Sequence, residues 1–174
     1  MGEGRELRFL EKAMRLIPGY KGYKRKEERR DNDQLFRTTL VNRLERMRTE
    51  LNEIPAGLRG PAALKSVTDF DRIQKRLERV TDEIRFAARG YRGLFDMHKV
   101  REDELDSLYE FDIGLIEDID QLEESLKVLQ AAAAADAALK GPIDDMVDLL
   151  IAFSSKMSSR NELMIDLEKN KPVD

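Results

Sequence analysis

With 174 residues, no cysteine, no tryptophan and one histidine, the chain is long enough for one domain with a real core, and it excludes disulfides, thiolate metal sites and cysteine nucleophiles. Charged residues make up 38% of it, and the abundance of Leu, Glu, Arg and Ala points to long helices with solvated faces. The net charge of −4 hides an asymmetry: residues 1–101 carry 25 Lys and Arg against 16 Asp and Glu, or +9, while residues 102–174 carry 6 against 19, or −13.

That asymmetry has two readings. Basic and acidic helices complement one another within one bundle, or the basic half faces an acidic partner. No stretch reaches the roughly 18–20 apolar residues a helical membrane span needs. The start, MGEGRELRFL, lacks the apolar region of a secretory leader, and Glu6 stands where a myristoylation signal wants Ser or Thr, so the expected setting is the cytoplasm.

A first helix is expected over about residues 5–17, with Leu7, Leu10, Met14 and Ile17 on one face and Pro18 and Gly19 ending it. Gly19, Tyr20, Lys21, Gly22 and Tyr23 read as a turn, and a second helix follows over about residues 21–54. Its first part, Lys24 to Gln34, has no apolar residue, while Lys24 with Glu28 and Arg29 with Asp33 are spaced for ion pairs. Its second part carries an apolar stripe, Phe36, Leu40, Leu44, Met47, Leu51 and Ile54. The charged part is expected to stand in water and to offer a partner surface.

Residues 55–64, PAGLRGPAAL, read as an extended loop. Ser66 and Asp69 have capping-box spacing, and Phe70, Ile73, Leu77, Val80, Ile84 and Ala87 predict a third helix over about residues 66–89. Gly90, Tyr91, Arg92 and Gly93 repeat the Gly-Tyr-base-Gly order of the first turn, which reads as a recurrent turn rather than a duplication. The acidic fourth helix, about residues 101–139, has a seam of Leu105, Leu108, Leu115, Ile119, Leu122, Leu126 and Leu129, with Asp112 where an apolar residue belongs. Ala131 to Ala135 is expected to lengthen it, and Gly141 with Pro142 to end it. In the fifth helix, about residues 142–169, Ile143, Met146, Leu150, Phe153, Met157, Met164 and Leu167 keep the rhythm, with Arg160 at the missing position.

These elements predict an all-α antiparallel bundle of four or five helices with coiled-coil-like seams, one domain spanning residues 1–174. A homo-oligomer is left open, because apolar seams can be covered within one chain or between two.

Asp112 and Arg160 are the two charges inside otherwise apolar seams, and if buried each needs a partner. A hairpin folded about Gly141 offsets Arg160 from Asp112 by about 13 Å, so Arg79 or Arg76 is the expected partner of Asp112. The alternative is a solvated Asp112 with Phe111 in the core. The many carboxylates of the fourth helix lack the Glu-x-x-His pairs of a di-iron bundle, and His98 has no such neighbour. No metal or cofactor is expected, and a metal-dependent hydrolase using the acidic helix is the alternative to a binding role.

Lys24, Arg25, Lys26, Arg29 and Arg30 are the expected electrostatic contacts for a protein partner, with Tyr20, Tyr23, Tyr91 and Arg92 beside them in the two turns. Interleaved Glu27, Glu28, Asp31 and Asp33 cut the local field, which argues against nucleic acid and leaves an anionic membrane surface as the second partner class.

The segments IPGYKGYKRKEERRDNDQLFR and YRGLFDMHKVREDELDSLYEFDIGLIE resemble a family of small bacterial all-helical proteins, with a similar Ile-Pro-Gly-Tyr-x-Gly-Tyr turn and Phe-Asp…Leu-Tyr-Glu-Phe-Asp stretch. The likeness covers half the chain and implies no chemistry; it draws attention to the two Tyr turns and Asp112. The expected function is that of a non-catalytic interaction or scaffold protein.

Overall fold

Apolar residues at three- and four-residue steps leave each helix with one face that water disfavours, and an all-helical chain covers such faces by packing them on one another. The computed structural model describes residues 11, 13–15, 17–22, 26–58, 60–87 and 102–169. A short helix, α1, is described at residues 11 and 13–15. Four long ones follow: α2 (Lys26–Gly57), α3 (Gly60–Phe86), α4 (Glu102–Ala134) and α5 (Lys140–Lys169). The described residues contain no strand, and none of their helices is long and apolar enough to cross a membrane.

The stripes Phe36 to Ile54, Phe70 to Ile84, Leu105 to Leu129 and Ile143 to Met164 all face one core. Helix α2 packs on α3 and α4, and α5 packs on the same two, so α2 lies diagonal to α5 and α3 to α4. Interhelical bonds fix the directions. Arg43 and Glu50 of α2 meet Glu123 and Gln130 of α4, so these two helices run parallel. Arg72 and Glu83 of α3 meet Asp144 and Ser154 of α5 in the same sense. The molecule is two antiparallel hairpins laid side by side.

The structure corrects three expectations about where helices begin and end. Residues 55–64 are not an extended loop: α2 continues through Pro55 to Gly57, and α3 begins at Gly60. Pro55 falls in the last turn of α2, and Pro61 falls in the first turn of α3, where its missing N–H has no intrahelical partner to lose. Ser66, the expected cap, is buried inside α3. At the end of α1, Ile17 is buried as expected, but Ala13 turns inward in place of Met14, which faces out, while Leu7 and Leu10 lie outside the described residues.

The third correction has the largest consequence. Helix α4 stops at Ala134, not at Gly141. Asp136 adopts φ 51°, its N–H donates to the Ala133 carbonyl at 3.2 Å, and the Ala137 N–H donates to the Ala132 carbonyl at 2.9 Å. That pair of bonds around a left-handed residue is a Schellman cap, with Asp in the place more often taken by Gly. Gly141 instead lies in the first turn of α5. Moving the fold point from Gly141 to Asp136 slides α5 along α4 by about ten residues, roughly 15 Å.

Candidate functional site

That slide brings Arg160 level with Asp112. Its Nε donates to Asp112 Oδ1 at 2.6 Å, its Nη2 donates to Asp33 Oδ1 at 2.9 Å, and its guanidinium carbon lies 5.2 Å from the Phe36 ring centroid. Asp33 Oδ2 accepts from Arg37 Nε at 2.8 Å. Asp33, Asp112 and Arg160 are fully buried, and α2, α4 and α5 are tied together there by these two carboxylates and the guanidinium groups of Arg160 and Arg37. The expected partner is corrected: Arg79 has a side chain 81% exposed and pairs with Glu83 on its own helix. Phe111 is half-buried while Asp112 holds the core position.

A planar guanidinium suits this place because it bonds two carboxylates in fixed directions while its face rests on a ring. Asp33, Asp112 and Arg160 have no exposed surface, only the Arg37 end of the arrangement reaches the outside, and the carboxylates already accept short charge-assisted bonds. It reads as a structural lock rather than an acid–base pair.

The expected partner surface is also rearranged. Gly19 and Gly22 take φ 88° and 81°, which folds the Tyr20 ring inward to 1% exposure. Asn32 clasps the turn: the Lys21 N–H donates to its Oδ1 at 3.0 Å, and its Nδ2 donates to the Gly22 carbonyl at 2.6 Å. Arg29 is buried as well, whereas Arg30 remains exposed. The first part of α2 is therefore not the solvated arm that its polarity predicted, and Tyr20 and Arg29 face the interior. Tyr23, Lys24, Arg25, His98, Tyr91 and Arg92 lie outside the described residues, as does the side chain of Lys26.

Nothing in the charge pattern marked Asn32, although a poor helix former amid a long helix was a signal that its side chain had other work. Replacing it with Ala strands two backbone groups of the turn. The Asn32→Ala protein is expected to lose about 1–3 kcal/mol in urea unfolding. The Lys21 amide should also exchange its hydrogen faster than in the parent.

Asp118, Asp120 and Glu123 of the acidic helix are committed to its neighbours. Asp118 receives Lys156 Nζ at 2.7 and 2.8 Å, and the bare Gly114 backbone makes room for the lysine, since a Cβ there would stand 3.1 Å from Nζ. Arg43 binds Glu123 in bidentate fashion at 2.7 and 2.9 Å and Asp120 at 2.7 Å, while Arg46 reaches Glu123 at 2.7 Å. Burial works against the charge on Arg43, but its bonds to Glu123 and Asp120 outweigh that and raise its pKa. The bond from Arg43 holds the Glu123 carboxyl below the usual range against the opposing effect of burial. Among the described residues no three His, Asp or Glu converge to hold a metal ion.

Because the folded pKa of Glu123 is depressed, its contribution is complete above an unfolded pKa of about 4.3 and is lost as pH falls from there through the folded value. The stability difference between the parent and Glu123→Gln should be constant near neutrality, at about 1 kcal/mol or less, and should shrink below about pH 4.3. Urea midpoints measured across pH 2.5–7 check this, to the nearest half unit of pH.

The described residues also form open concavities on the outside, two of which bear on function. One, between α3 and α5, has a volume of about 290 Å³ and is lined by Arg76, Val80, Leu150, Ile151, Ser155 and Ser158, among others. Ile151 is 45% exposed there, and Arg76 has no carboxylate at ion-pair distance among the described residues. The second, about 450 Å³, lies between α2 and α3 and is lined by Gln34, Arg37, Thr38, Val41 and Arg85. Sequence reasoning missed both, because nothing along the chain distinguishes an arginine paired across helices from one that is not. No protein-family model, curated protein or solved structure matches the chain.

Proposed function

We propose that this is a non-catalytic, cytoplasmic helical interaction protein that receives a protein partner in the groove between α3 and α5. The observation that carries the reading is the pairing of Arg76 with the exposed Ile151 above an apolar floor of Val80 and Leu150. A cation beside an apolar strip fits an acidic amphipathic helix, whose apolar face fills the groove while a carboxylate meets Arg76. The surface expected at the start of α2 is less suited, because Tyr20 and Arg29 point inward. The hydrolase alternative loses support because Asp112, Asp118, Asp120 and Glu123 are bound to cations of other helices. The likeness to a bacterial all-helical family belongs to the same proposal and adds no chemistry to it.

The test compares the parent with Arg76→Glu/Ile151→Asp and with a variant whose Lys24, Arg25, Lys26 and Arg30 are changed to Glu. Each is used to capture partners from native extract, and amide exchange then maps the footprint of any captured protein. Loss of capture by the first variant alone, with protection centred on α3 and α5, supports the reading. Loss by the second alone, or salt-sensitive sedimentation with anionic vesicles that only the second abolishes, moves the function back to α2 and refutes it.

A further inference from the structure

We propose that the concavity between α2 and α3 is a binding site for a small anion of the carboxylate or phosphate type, with Arg37 as its principal donor. The site lies on a different face from the α3–α5 groove and does not depend on it.

Its walls come from one stripe of α2 and the end of α3. Gln34, Arg37, Thr38 and Val41 succeed one another at helical spacing, and Arg85 closes the opposite side. Arg37 is the unusual member. Only 11% of its side chain is exposed, and its Nε is committed to Asp33, which fixes the direction of the guanidinium. Its two Nη groups have no acceptor among the described residues, so the outer edge of a nearly buried fork is presented to the concavity. Gln34 and Thr38 likewise make no side-chain bond to any described residue. Arg85 is held by Asp82 at 2.8 Å and Glu45 at 2.7 Å, which places a second guanidinium on the rim without leaving it to collapse into the space.

The chemistry of the occupant follows from these groups. Arg37 can only donate, Gln34 and Thr38 can each donate as well, the fork of Arg37 matches two oxygens of one carboxylate or phosphoryl group, and the aliphatic part of Val41 offers an apolar contact. The local carboxylates already balance the two arginines, so recognition rests on directed hydrogen bonds more than on net field. The occupant is therefore a small, singly or doubly charged molecule bound with modest affinity. Arg37 also opens the chain Arg37–Asp33–Arg160–Asp112, so an anion that fixes Arg37 reinforces the buried lock and raises the stability of the whole bundle.

The probes are sodium phosphate and sodium succinate, each compared with sodium chloride at matched ionic strength by thermal unfolding and calorimetric titration. At least one of the two should give a saturable rise in Tm that chloride does not. The exposed pair Gln34→Leu/Thr38→Val, which leaves the core and the lock intact, should weaken that anion by about tenfold, equivalent to losing roughly one good hydrogen bond. Arg37→Gln should abolish the response. A preference for phosphate identifies a phosphate ester as the occupant, and a preference for succinate an organic acid. No saturable response to either anion, or a response unchanged in Gln34→Leu/Thr38→Val, overturns the proposal.

Discussion

Replacing Arg160 with Met is expected to destabilise the protein by about 3–5 kcal/mol, because it takes from the buried Asp33 and Asp112 the guanidinium that bonds both. The side chain removed is among the largest fully buried ones in the molecule, and Met fills much of its volume, so the loss reports charge compensation more than a cavity. Lysine should not rescue it. An ammonium keeps the charge but cannot offer Nε to one carboxylate and Nη2 to another while lying against the Phe36 ring, so Arg160→Lys is expected to recover less than half the loss. Equilibrium urea unfolding of the three proteins at pH 7 checks both statements. A loss below about 1 kcal/mol for Arg160→Met would mean that the carboxylates reach water when the cation is gone.

The second large effect is expected at Phe36, which is fully buried and carries the guanidinium of Arg160 on its face. Phe36→Ala should cost about 3–5 kcal/mol, the usual loss for emptying an aromatic core position. Phe36→Leu should cost much less in packing, yet it removes the ring from beneath the cation. Its effect in the parent should exceed its effect in the Arg160→Met background by about 0.5–2 kcal/mol, the worth of a desolvated cation–π contact. Equal effects in the two backgrounds would show that the ring acts on Arg160 only as a spacer.

How much of this was legible follows from which features depend on local pattern. The stripes Phe36 to Ile54 and Ile143 to Met164 announce themselves because burial repeats with the helical period, and the same pattern marked Asp112 and Arg160 as misplaced charges. Their pairing was hidden because it depends on hairpin register, and the register depends on one residue. Gly141 and Pro142 are the stronger stop signals in composition, but the chain turns at Asp136, where a short polar side chain tolerates the left-handed conformation after a run of alanines. The first part of α2 misled for a related reason. A segment without apolar residues looks solvated, yet Asp33 can enter a core when an arginine from a diagonal helix meets it there. Asn32 and Arg37 take their roles from the turn and the concavity beside them, which no spacing within α2 encodes.

The charge asymmetry resolves in part within the bundle. Arg43 and Arg46 from the basic half meet Asp120 and Glu123 from the acidic half, and Arg72 meets Asp144. Charges at those positions serve cohesion between the two hairpins. Arg76, standing apart from such pairs, is what makes the α3–α5 face the better candidate for a partner.

The central claim is that the two charges interrupting the apolar seams, Asp112 and Arg160, are joined inside the fold, and a double-mutant cycle between Arg160→Met and Asp112→Leu tests it most directly. If the two side chains bond as described, the double variant should be less destabilised than the sum of the single ones, with a coupling of about 2–3 kcal/mol. Effects that add to within about 0.5 kcal/mol would mean that Arg160 and Asp112 do not meet, and the register of α5 on α4 would have to be redrawn.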